Sequence, residues 1–178
     1  DCSGNNQAKW AGRFDLSWEG GGTPESSLKT WLDPQNLNLM EKGGRTLSET
    51  IDFADLIILN QIVTPSTITA GQTVQAKSIE RNIGTTNASA NYIKYYLSAN
   101  DILTPGTNGD IYLGQYFINQ NIPPNSQTPE ITKVLTIPSS VPTGTYYLFY
   151  WADGSNLVNE CVEDNNFATA ILNVTGVP

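Results

Sequence analysis

From residue 55 onward, turn-forming residues divide the chain into short apolar runs, and this cadence excludes most folds. The runs lie at 56–63, 73–81, 91–98, 111–118, 131–137, 145–152 and 167–174, each seven to nine residues long. Stretches such as "TPSTITAGQ", "NIGTTNAS", "NDILTPGTNGD" and "PSSVPTGT" separate them. Runs of that length, rich in Val, Ile, Thr and Tyr and bounded by Gly, Pro and Asn, are strands. Seven strands over about 120 residues predict an all-β, immunoglobulin-like antiparallel sandwich. No strand–helix–strand spacing occurs, so a nucleotide-binding α/β domain is not expected.

The first 34 residues follow another pattern. Trp10, Gly12, Phe14, Leu16 and Trp18 alternate with Ala11, Arg13, Asp15, Ser17 and Glu19, the period of a half-buried strand. Gly20, Gly21 and Gly22 break it. Thr23 is then suited to cap a helix, Pro24 to its first position and Glu25 to its positive end. Leu28, Trp31 and Leu32 form one apolar stripe, and Asp33-Pro34 ends the helix. These two elements cannot bury their apolar faces alone. Residues 35–54, with Gly43-Gly44 and little periodicity, read as a linker.

Nine basic against seventeen acidic side chains give a net charge of −8. Such a surface repels nucleic acid and anionic membranes. No run reaches the roughly twenty apolar residues of a membrane span. The chain has no histidine, which excludes Ser-His-Asp and Cys-His catalysis and His-ligated metal within it. Its two cysteines, Cys2 and Cys161, fit neither a disulfide-dense scaffold nor a CxxC metal site. They would bond to each other only if their Cα atoms approached within about 7 Å. A start at Asp1 without a leader is expected of a mature product or a fragment.

Two groups of side chains are candidate sites. Asp101 and Asp110 bracket one loop, and Asp153, Glu160, Glu163 and Asp164 cluster in another. Calcium needs six to eight converging oxygens. In a sandwich these loops project from opposite ends, so each group stands alone. Asp101 and Asp110 are then either ligands of a weak calcium site, the one cofactor considered, or turn residues bonding their own backbone. The second group is aromatic: Tyr92, Tyr95, Tyr96, Tyr112, Tyr116, Tyr146, Tyr147, Tyr150 and Trp151 fall on three expected strands. Adjacent tyrosines point to opposite faces, so one of each pair is core and the other exposed. Tyr95, Tyr147 and Trp151 are the expected binding residues, placed to stack on a sugar ring or anchor a protein. Paired carboxylates would serve a glycosidase only beside a cleft, which the loops of a small sandwich seldom supply. No catalysis is expected.

Two resemblances sharpen these expectations. "CSG", "GRFDLSWEGGG" and "LKTWLDP" resemble the C-terminal end of secreted trypsin-fold serine proteases of the lysyl-endopeptidase type. That resemblance implies that the strand closes the second protease barrel and the helix packs outside it. Gly12 would lie near the specificity pocket, and Cys2 would bond a cysteine near the protease N-terminus. The family's catalytic histidine, aspartate and serine belong upstream of these motifs, so the upstream protease domain is the implied partner.

Residues 55–174 resemble the CARDB family of bacterial adhesion-related Ig-like modules. The pieces that carry this are "DLIILNQIVTP", "GQTV", "RNIGTTNA", "YYLSAND", "GDIYLG", "IPSSVPTGTYYLFYWAD" and "VNECVEDNN". One departure stands out: Ser78 and Glu80 share the inward face of the second strand with Val74 and Ala76, so either Glu80 lies at the strand end with access to solvent or the register differs. The expected organisation is a protease remnant at 1–34, a linker at 35–54 and a sandwich at 55–178. The expected role is extracellular or cell-surface binding of protein, surface or polysaccharide by a secreted protease's accessory module. The other reading is a structural spacer, stiffened by calcium.

Overall fold

The structure, a computed structural model, describes residues 53–105 and 110–176 in full and the backbone of residues 39–40 and 46–47. The strand and helix expected within the first 34 residues, and Cys2, lie outside the described residues. The chain divides into two compact units, each taken by itself. In one, β1 (Leu39–Met40) pairs antiparallel with β2 (Thr46–Leu47) inside the stretch read as a linker.

The other unit is a sandwich of β3 (Leu56–Thr64), β4 (Thr67–Thr69), β5 (Thr73–Asn82), β6 (Asn91–Ser98), β7 (Ile111–Ile118), β8 (Ile131–Thr136), β9 (Gly144–Trp151) and β10 (Phe167–Thr175). One sheet has the order β3-β5-β8 and the other β4-β10-β9-β6-β7. All seven expected strands form, and no helix occurs among the described residues. The expectation fails in one element. β4, within a stretch read as turn, pairs in parallel with β10, so the sandwich is not wholly antiparallel. A three-residue strand among Ser and Thr has too few side chains to show alternation.

The core follows from period-2 alternation on the facing sheets. Leu56, Ile58, Val74 and Ala76 on one side meet Ile93, Leu97, Leu148 and Leu172 on the other, all buried. Full burial of each large aliphatic is worth about 1.5–3 kcal/mol. Two bulges adjust the frame. The β3–β5 register shifts between Leu59 and Ile62, where Asn60 has φ 53°. The carbonyl of Ile62 accepts a 2.7 Å hydrogen bond from the Tyr150 hydroxyl across the sandwich. On β7 the register steps from Tyr95↔Gly114 to Tyr96↔Tyr112, with Gly114 at φ 137°.

Packing continues upstream of β3. Ala54 is 1% exposed, and the Phe53 carbonyl accepts from the Thr85 and Thr86 amides. Gly84 fits there because it lacks a side chain: a Cβ would lie 2.4 Å from the Phe53 carbonyl oxygen.

A candidate binding face

The outer face of the five-stranded sheet is built by alternation on β6, β9 and β10 and by the bulge on β7. Strand β6 sends Asn91, Ile93, Tyr95 and Leu97 inward, leaving Tyr92, Lys94, Tyr96 and Ser98 outward. On β9, Tyr147, Phe149 and Trp151 face outward, because Leu148 and Tyr150 belong to the core. On β10, Phe167, Thr169, Ile171 and Asn173 face outward opposite Leu172 and Val174. Strict alternation on β7 would pair Tyr112 with the inward set. The extra residue of the bulge, Leu113 beside Gly114, turns Tyr112 outward, opposite Tyr96.

The rings meet at tilted angles across the strands. Phe167 lies 5.1 Å from Trp151, Trp151 6.2 Å from Tyr96, and Tyr96 5.4 Å from Tyr112. Tyr92 and Phe117 add a second pair at 4.8 Å. These separations fall in the range of favourable aromatic contact. Tyr96 and Phe149, at 9% and 4% exposure, form a floor, while Tyr112 and Phe117 are both 49% exposed and Phe167 38%. Burial, and then the neighbouring Tyr112, push the Tyr96 phenol above its ordinary value. Lys94 Nζ sits 5.9 Å from the Trp151 ring centre, a cation–π contact. The turn after β9 lies on its stem, since a Cβ on Gly154 would come 2.8 Å from Lys94 Cγ.

The three expected binding residues are thus divided. Tyr147 and Trp151 stand on this face. Tyr95 does not: it is completely buried, its ring 5.4 Å from Tyr150 in the core. Its neighbour Tyr96 takes the outward place. The signal lay in the sequence, because Lys94, two residues before Tyr96, shares its parity and a lysine marks the outward side.

Asp101 is exposed. The Asp110 carboxylate accepts from the backbone and hydroxyl of Thr104. At the far end of the sandwich, Asp153 accepts from the amides of Leu157 and Val158 at 3.0 and 2.7 Å. Burial raises its carboxyl, and those amides and Lys94 offset part of the rise. Glu160 accepts from the Leu56 amide and from Asn166, and Asp55 from Asn165. These bonds lash the loop before β10 to the start of β3. Burial nonetheless pushes the Glu160 carboxyl up to about 8. Among the described residues no three acidic or thiol groups converge as a metal site. Cys161 is disulfide-bonded rather than a free thiol.

Glu80 on the second long strand, β5, neither gains solvent at the strand end nor shifts register, contrary to expectation: it faces inward with Val74, Ala76 and Ser78 and is fully buried. Asn91 donates to its Oε1 at 2.7 Å. Desolvation lifts its carboxyl to about 7 against that bond, with a further push from Asp153.

Fold and face together define an immunoglobulin-like sandwich module with one aromatic sheet surface. The CARDB family profile matches residues 53–170, and the chain belongs to the CARDB family, a family of non-catalytic modules. Among solved structures, the chain is similar to the CARDB domain of a Pyrococcus furiosus protein, crystallised in complex with di-metal ions. Identity there is 18% and the TM-score 0.50, over 69% of this chain and 90% of that one. A solution structure of the same Pyrococcus furiosus domain is 21% identical, with a TM-score of 0.49 over 70% and 97% of the two chains. No curated protein matches. No helix among the described residues is long and apolar enough to cross a membrane.

Proposed function

We propose that this chain is the accessory C-terminal part of a secreted bacterial serine endopeptidase and that its CARDB module is an adhesion-type binding module. The observation that carries the binding role is the aromatic outer face of the five-stranded sheet. A pure spacer has no use for Tyr112, Phe117, Phe167 and Ile171 left 38–49% exposed on one surface, whereas contiguous apolar patches mark interaction sites. The protease parentage is supported by the motifs between Cys2 and Pro34, and an upstream reading frame encoding a Gly-Asn-Ser-Gly-Ser-Pro motif would test it. An extracellular setting agrees with the disulfide at Cys161.

Retention of the purified chain on particulate bacterial cell wall, insoluble cellulose, chitin and immobilised casein tests the binding role. We expect retention on at least one of these, loss in the Tyr112→Ala/Phe167→Ala double variant, and no loss in Val134→Ala on the other sheet. Equal behaviour of all three proteins would return the module to a spacer.

A further inference from the structure

We infer that the occupant of the aromatic face is a linear, uncharged polysaccharide rather than a protein; this rests on the binding role proposed above. The first ground is charge. The chain carries seventeen carboxylate side chains, yet β6, β7, β9 and β10 contain no Asp or Glu, and Lys94 is their one cation. A face cleared of charge in so acidic a protein suits a ligand that brings none. It does not suit a protein surface, which would bring charged rims needing partners.

The second ground is the kind of apolar surface. Ile171 is the one large aliphatic exposed on the face; the others are Tyr112, Phe117 and Phe167. Protein interfaces bury aliphatic and aromatic side chains together in packed pockets. Exposed aromatic rings match instead the C–H faces of pyranose sugars whose hydroxyls point sideways.

The third ground is where the hydrogen-bonding groups lie. The Tyr112 hydroxyl bonds Gln115 at 3.2 Å, and Thr145 bonds Asn173 at 2.9 Å. Both pairs are exposed and ready to exchange partners with sugar hydroxyls; the first lies on the ring strip and the second at the other end of β9 and β10. The fourth is shape. Phe167, Trp151, Tyr96 and Tyr112 are joined in steps of 5.1, 6.2 and 5.4 Å from β10 to β7. That strip crosses the strands and presents Tyr112 and Phe167 as exposed platforms at its two ends, with half-buried Trp151 and the floor residue Tyr96 between them for an extended chain to cross.

Affinity electrophoresis of the full chain through gels containing hydroxyethylcellulose, laminarin, dextran or polygalacturonate tests this, with casein binding measured in parallel. The inference expects retardation by at least one of the three neutral polymers and none by polygalacturonate. It expects Tyr112→Ala and Phe167→Ala each to weaken retardation about 3- to 10-fold, while Val134→Ala matches the parent. Circular dichroism melts confirm that the variants stay folded. No retardation by any neutral polymer, or retardation that the ring variants leave unchanged, overturns the inference. If casein binding alone depends on Tyr112 and Phe167, the face is a binding site but its occupant is protein. If neither ligand binds, the binding role itself falls.

Discussion

Glu80 is the residue whose surroundings most oppose its chemistry, since a carboxyl sits where an apolar side chain would be ordinary. It is 0% exposed, and its carboxyl is lifted from an ordinary value of 4.5 to about 7. A carboxyl held higher in the folded chain contributes stability that is complete below its unfolded value. That contribution is lost as pH rises through the folded value. The sandwich should therefore be less stable at pH 8.5 than at pH 5 by an amount of which Glu80 supplies on the order of 3 kcal/mol. Glu160, raised to about 8, acts in the same direction. Glu80→Gln keeps an acceptor for Asn91 and removes the ionisation. Urea unfolding at both pH values should show the difference between parent and variant growing with pH in the variant's favour; a pH-independent difference would refute this account. A second residue-scale prediction concerns Tyr150, whose hydroxyl reaches the Ile62 carbonyl at 2.7 Å. Tyr150→Phe should cost about 1 kcal/mol in the same assay, and a neutral result would mean that the bond contributes nothing.

At the scale of elements, the bulge on β7 decides what the outer face displays. Gly114 has φ 137°, a backbone conformation that residues with a side chain rarely adopt. Space is not the obstacle, because a Cβ there would meet nothing closer than 3.9 Å. Gly114→Ala should therefore cost about 1–2 kcal/mol through backbone strain alone. It should also weaken the ring contact between Tyr112 and Tyr96 seen by nuclear Overhauser effects. Unchanged stability with the contact intact would show that the bulge does not need glycine. Gly84→Ala should cost more, because Phe53 and Ala54 backbone atoms crowd that site; a thermal melt equal to the parent's would contradict the packing described here. These features mark the limit of what can be read from the chain. Alternation revealed the long strands, since each repeats its pattern four times or more. It could not show Asn60 or Gly114 shifting the register, nor β4 joining β10. In "GTYYLFYW" both faces are apolar, so the sequence does not say which one is outside. Nor could it show Glu160 bonding the Leu56 amide 104 residues away, because such pairs depend on which loops share an end of the sandwich.

For the whole molecule, the two sheets divide the work. The three-stranded sheet turns Lys77 and Arg81 outward beside the exposed aliphatics Ile62 and Val134, with Lys77 paired to Glu130, just before β8, at 2.9 Å. The five-stranded sheet carries the aromatic strip and a single cation. At the end where β3 begins, Asp55, Glu160, Asn165 and Asn166 tie the last loop to the first strand, so the strip rests on a closed frame. The central claim is that this strip is where the molecule meets its ligand. Two-dimensional 1H–15N NMR of the full chain, titrated in turn with cellohexaose and with a casein-derived peptide, tests it most directly. The account predicts amide shifts confined to residues 92–96, 112–117, 147–151 and 167–171 with one of the two ligands. Shifts centred on residues 73–77 and 131–136, or none with either ligand, would contradict it.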